Sequence, residues 1–184
     1  MARIVKLVLI VILVAGVGVG AFIVGRHTAP TTSSSPPVCK AAELHATQSG
    51  SSGAAGTMER TFSLVNTGST TCVLDGYPRL LLLDRSGGAL PTQVVRGGGL
   101  AFEDVAPSTV VLGPKAASYF NVGYSDVMSP CSSATSVQIT PPGGSAYLVV
   151  SVSPTMRVCD NGTLHVSAVF GSGEAAATKT TAAS

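Results

Sequence analysis

Apolar side chains follow two patterns along this chain. From Leu7 to Gly25 the sequence LVLIVILVAGVGVGAFIVG runs nineteen residues without a charge. As a helix it would measure about 28 Å at about 1.5 Å per residue, close to a hydrocarbon core of about 30 Å. Arg3 and Lys6 precede it and Arg26 follows it, which predicts an uncleaved signal anchor with the N-terminus inside and the rest of the chain outside. The alternative is a cleavable signal peptide and a secreted product; Gly18 and Gly20 supply the small-x-small exit that cleavage needs. No cysteine closely follows the apolar run, which argues against a lipid anchor.

Beyond Gly25 the pattern shortens. RHTAPTTSSSPP (26–37) has no periodicity and is rich in Pro, Ser and Thr, as expected of a stalk. TMERTFSLVN (57–66) then alternates, with Met58, Phe62 and Leu64 on one face and Glu59, Thr61 and Ser63 on the other. NTGST (66–70) predicts a hairpin turn, and TCVLDG a short strand ended by Asp75-Gly76. RLLLLD (79–84) is apolar on both faces, as a central strand should be, and RSGG (85–88) turns the chain. TVVLGP (109–114), ASYFNVGY (117–124), SVQIT (136–140), AYLVVSV (146–152) and TLHVSAV (163–169) complete eight to ten short strands. The expected fold is an all-β, Ig-like antiparallel β-sandwich with one N-terminal transmembrane helix. Its divisions are 1–6 (cytoplasmic N-terminus), 7–25 (anchor), 26–37 (stalk), 38–170 (sandwich) and 171–184 (flexible tail).

The cysteines agree with export. Cys39, Cys72, Cys131 and Cys159 all lie beyond the apolar segment, and no C-x-x-C occurs, which sets aside zinc ribbons and thioredoxin-like chemistry. An even number in an oxidising compartment reads as two disulfides. Of three connectivities, Cys39–Cys72 with Cys131–Cys159 is preferred, because each pair flanks its own group of strands; four buried free thiols are the alternative. Three of the 11 basic residues (Arg3, Lys6 and Arg26) flank the anchor, so the exported part is close to neutral against 9 acidic residues. Without a cluster of cations, nucleic-acid binding is not expected.

Candidate chemistry is sparse. No G-x-S-x-G is present, and of His27, His45 and His165 the first lies in the stalk while the other two are expected to face solvent. A Ser125–His165–Asp126 triad has no support in spacing. Glu103-Asp104 fits a solvated loop better than a pair of catalytic carboxylates. Met58, Met128, Met156, His45 and His165 are too dispersed to suggest copper, so neither a metal nor a cofactor is expected. VVRGGGLAF (94–102) is the unusual loop, and Arg96, Gly97, Gly98, Gly99, Leu100 and Phe102 form the candidate interaction surface. Gly16 and Gly20 make a G-x-x-x-G that could pair anchor helices, and Asn161-Gly162-Thr163 reads as a turn.

A resemblance emerges from Cys39 with Leu44, the Gly56-Thr57 pair, NTGSTTCVLDGYPRL, VLGPKAASYFNVGYSDV and the later Cys131 and Cys159. Over about residues 38–169 the chain looks like domain of unknown function 4232, its most specific block being N-T-G-x-x-x-C-x-L-x-G-Y-P. That resemblance implies an exported β-sandwich of high-GC Gram-positive bacteria, often behind an anchor, and no activity. The expected role is a non-catalytic, membrane-anchored binding module facing an envelope protein or cell-wall component. The competing expectation is an enzyme of hydrolase type whose site is assembled from residues distant in sequence.

Overall fold

The computed structural model describes residues 35–99, 101–104 and 106–172. The expected anchor and most of the stalk and tail lie outside the described residues. Among those described, no helix is long and apolar enough to cross a membrane. The described chain is all β, with two 3₁₀ turns at Ala41–Glu43 and Asp160–Gly162.

β1 (Leu44–Ala54) and β2 (Thr57–Asn66) form a hairpin closed by Ala55 and Gly56, both at positive φ (51° and 82°), the two-residue turn that matches the twist of paired strands. β3 (Cys72–Asp75) and β4 (Arg79–Leu83) follow, then β5 (Gln93–Arg96), β6 (Thr109–Leu112), β7 (Ala117–Ser125), β8 (Ser132–Thr140), β9 (Leu148–Val158), β10 (Thr163–Val166) and β11 (Phe170–Gly171). The main sheet has the order β1-β2-β7-β10-β5, with β11 also on β7; β3 pairs with β6, and β4-β8-β9 form a third sheet. One apolar core joins the three: Phe62, Leu64, Phe120 and Val122 from the main sheet meet Leu74 and Leu112 of β3–β6 and Leu82, Val137, Ile139 and Met156 of the third. Phe62 and Phe120, opposite each other on β2 and β7, stack at 5.3 Å. This is a sandwich-like arrangement, as expected, but it is not wholly antiparallel, because β5 runs parallel to β10.

The hairpin expected at 66–70 is a correction. β2 and β3 belong to different sheets, and this stretch carries the chain between them. Asn66, 1% exposed, accepts from the Gly68 N–H with Oδ1 (2.9 Å) and donates Nδ2 to the carbonyls of Thr70 (2.8 Å) and Leu112 (2.9 Å). The Asn-x-Gly signal was real; it marks an Asx turn that seals a crossover instead of joining neighbours. Both preferred disulfides are present, Cys39–Cys72 and Cys131–Cys159, and none of the described cysteines is free.

β2 carries an unexpected passenger. Arg60 shares the inward face with Phe62 and Leu64 and is 1% exposed. Its Nε donates to the Tyr124 hydroxyl (3.3 Å), Nη2 to the Pro154 carbonyl (3.2 Å) and Nη1 to Ser51 Oγ. Beside it, the Gln48 amide makes a reciprocal pair with the Ser153 main chain, donating at 2.9 Å and accepting at 3.2 Å. Together they stitch the middle of β9 to the β1–β2 hairpin, where no main-chain ladder runs.

Candidate functional site

The register of the main sheet sets out a row of residues on the face turned away from the core. Thr57 lies opposite Ser125, Glu59 opposite Gly123, and Gly123 opposite His165. Because paired residues point the same way, Thr57, Ser125, Gly123 and His165 share this outer face. With Thr163 they floor a cleft of about 250 Å³, walled by Gly98 and Ala101 on one side and by Ala55, Gly56, Val127, Met128 and Asp160 on the other.

The first wall is the glycine loop singled out in the sequence. The Gly97 N–H donates to the Val166 carbonyl (2.9 Å), the Ala101 N–H to the Gly98 carbonyl (2.9 Å), and the Gly98 N–H to the Asp104 carboxylate. Phe102 is fully buried, so it anchors the loop to the sheet instead of facing solvent. Gly123 makes room for this: a Cβ there would lie 2.3 Å from the Ala101 Cβ and 3.4 Å from the Phe102 ring. Gly98 passes equally close, its absent Cβ falling 1.9 Å from the Phe102 carbonyl oxygen. Arg96 is exposed, with its guanidinium 5.1 Å from the Tyr77 ring centre; Leu100 lies outside the described residues.

The second wall is held by the Cys131–Cys159 disulfide and main-chain bonds around it. The Cys159 N–H donates to the Ser125 carbonyl (2.9 Å) and the Asp160 N–H to the Met128 carbonyl (2.6 Å). Val127 and Met128 stand out from this wall at 64% and 54% exposure, giving the cleft an apolar rim.

His165 is half-buried in the floor, against the backbone of Gly99, and is not turned to open solvent as expected; His45 is exposed. The imidazole has no hydrogen-bond partner among the described residues, and neither does the Asp160 carboxylate. Ser125 Oγ is occupied as an acceptor for the Val127 and Met128 N–H groups (3.3 and 3.4 Å). Asp126 Oδ1 is buried without a partner, and its carbonyl accepts from Arg157. Ser125, His165 and Asp126 are therefore near in the fold but not linked as a nucleophile, base and orienting acid. Of the methionines, Met156 is in the core and Met128 is on the rim, and no three His, Cys, Asp or Glu among the described residues are grouped to hold a metal.

Two buried groups nearby are electrostatically displaced. Burial pushes the Glu59 carboxyl above its ordinary range, partly offset by the Ser52 hydroxyl that donates to it at 3.3 Å. Burial likewise raises the Tyr124 phenol, against the opposing pull of Arg60. Sequence reasoning found one wall and missed the floor and the other wall, whose residues come from positions 55 to 165. The one available signal was Gly123 within NVGY, a glycine in mid-strand where another backbone approaches.

Neither a curated protein nor a solved structure matches the chain. A family model described as a domain of unknown function (DUF4232) matches residues 39–169, the span from the first cysteine to the strand before the tail; the chain belongs to that family.

Proposed function

We propose that this protein is a non-catalytic binding module of the cell envelope, held at the membrane by residues 7–25 with its sandwich outside, and that it engages its partner through the cleft. The observation that carries this reading is the state of His165. It lines a cleft with an apolar rim, yet no acid among the described residues orients it, and the Ser125 hydroxyl in the same lining is committed to a turn. Such a floor can offer contacts to a guest, but it has no activated nucleophile to offer. The two disulfides support an oxidising, extracytoplasmic setting.

A photo-crosslinking side chain placed at Val127 on the rim, and separately at Val111 on the exposed face of β6, tests the cleft in living cells. A specific adduct is expected from position 127 only, and Thr57→Trp, which fills the floor, should abolish it. The same adducts from both positions, or an adduct indifferent to Thr57→Trp, would remove the cleft from the function.

A further inference from the structure

Taking the cleft as a binding site, we infer that its guest is a lysine side chain presented by an extended segment of a partner protein. Size sets the first limit. About 250 Å³ lies just under the roughly 300 Å³ at which sites for drug-sized ligands begin, so the space suits one long side chain.

Sign sets the second. The lining includes Asp160, which is exposed, and the half-buried His165, whose side chains have no partners among the described residues, and it includes no lysine or arginine. A carboxylate guest would meet the like charge of Asp160, with no lysine or arginine in the lining to offset it. A wholly apolar guest would leave the exposed Asp160 charge without a counterpart. An ammonium on an aliphatic stem answers both conditions, because the stem can lie along Ala55, Ala101, Val127 and Met128 while the head meets the acid.

The third consideration is what stands beside the cleft. Among the described residues β5 ends the main sheet and pairs only with β10, and all four of its residues are exposed. The Gly97 N–H points to β10, so by strand alternation Val94 and Arg96 turn their main-chain groups outward. Gly162, two residues after Asp160, packs so closely on Pro91 that its absent Cβ would lie 1.9 Å from the Pro91 carbonyl oxygen. The acidic end of the cleft therefore adjoins the start of a sheet edge that no described strand covers. A polypeptide can use both, pairing with β5 and placing a side chain in the cleft; a free amine can use only the cleft.

The test uses the full chain in nanodiscs with methyl-labelled methionine, Met128 reporting on the rim and Met156 on the core. The probe is acetyl-Thr-Val-Lys-Val-Thr amide, with norleucine and glutamate versions and cadaverine as comparisons. A saturable shift of the Met128 methyl is expected with the lysine peptide, without movement of Met156. Binding should weaken about fivefold with norleucine or with Asp160→Asn, an exposed charge contact of about 1 kcal/mol, and should vanish with glutamate. Equal binding of the norleucine peptide would overturn the lysine assignment while leaving a binding cleft. Cadaverine binding as tightly as the peptide would move the source from a protein to a small amine. Tighter peptide binding after deletion of residues 173–184 would make Lys179 of the chain itself the guest. No shift of Met128 with any probe would overturn the inference, and a persisting crosslink from position 127 would show that only the choice of guest had failed.

Discussion

At the scale of single residues, Arg60 and Glu59 occupy opposite faces of β2 and are both buried. Arg60 has three hydrogen bonds and no carboxylate among the described residues, so its burial is satisfied by neutral oxygens alone. Removing it leaves a large void and strands the Pro154 carbonyl and Tyr124 hydroxyl. Arg60→Ala should therefore cost about 3 kcal/mol or more, and Tyr124→Phe about 1 kcal/mol, measured by urea unfolding. A loss below about 1 kcal/mol for Arg60→Ala would mean that the guanidinium reaches water. For Glu59 the displacement is upward, and the sign follows from linkage. The folded state holds the proton more tightly than the unfolded chain, so the group's contribution is present below the ordinary glutamate value of about 4.3 and is lost as pH rises through the raised folded value. Glu59→Gln should accordingly be the more stable protein near neutral pH, with the advantage shrinking towards about pH 4. A difference between the two proteins that does not change with pH would contradict the burial of this carboxyl.

At the scale of elements, what was legible depended on whether a strand announces itself by alternation. β2 and β7 did, because Phe62, Leu64, Phe120 and Val122 build the core from one face. β1 did not: after Leu44 and Ala46 it reads TQSGSSGA, and it holds its place through the β2 ladder and the Gln48 side chain. β5 was hidden in the glycine loop because an exposed edge strand needs no apolar face. The glycine run predicts a surface for partners in the loop that follows β5, and within that loop Phe102 is buried and fastens it to the sheet across Gly123. That contact can be tested directly. Gly123→Ala puts a methyl within 2.3 Å of the Ala101 Cβ, so the loop must lift, at a cost of about 1–3 kcal/mol. Hydrogen exchange should accelerate over 97–104 and stay unchanged in β4, β8 and β9. The disulfides differ in the same structural way. Cys39 and Cys72 are each 1% exposed, while Cys131 is half-buried beside the cleft wall. Mild reductant followed by alkylation should label Cys131 and Cys159 first and loosen Val127 and Met128, with Cys39 and Cys72 protected until unfolding. Simultaneous labelling of all four would show that the second wall does not open independently.

At the scale of the whole molecule, the fold and the compartment constrain each other. Each disulfide closes a long loop, with sequence separations of 33 and 28, which restrains the unfolded chain by about 3–4 kcal/mol in the loop-entropy account. Folding that relies on such restraints belongs where thiols oxidise, and in the proposed function the nineteen-residue apolar segment is the route there. Whether the segment remains attached decides between a tethered and a released module, and one measurement addresses attachment and oxidation together. Intact mass of the protein recovered from cells, alkylated with and without prior reduction, should show a chain that retains residues 7–25. Four alkyl groups should be taken up only after reduction. A mass beginning near Val19 to Ala21 would establish cleavage at the small-residue exit and release. Alkylation of all four cysteines without reduction would place the sandwich in a reducing compartment, and the envelope role would then have no physical basis.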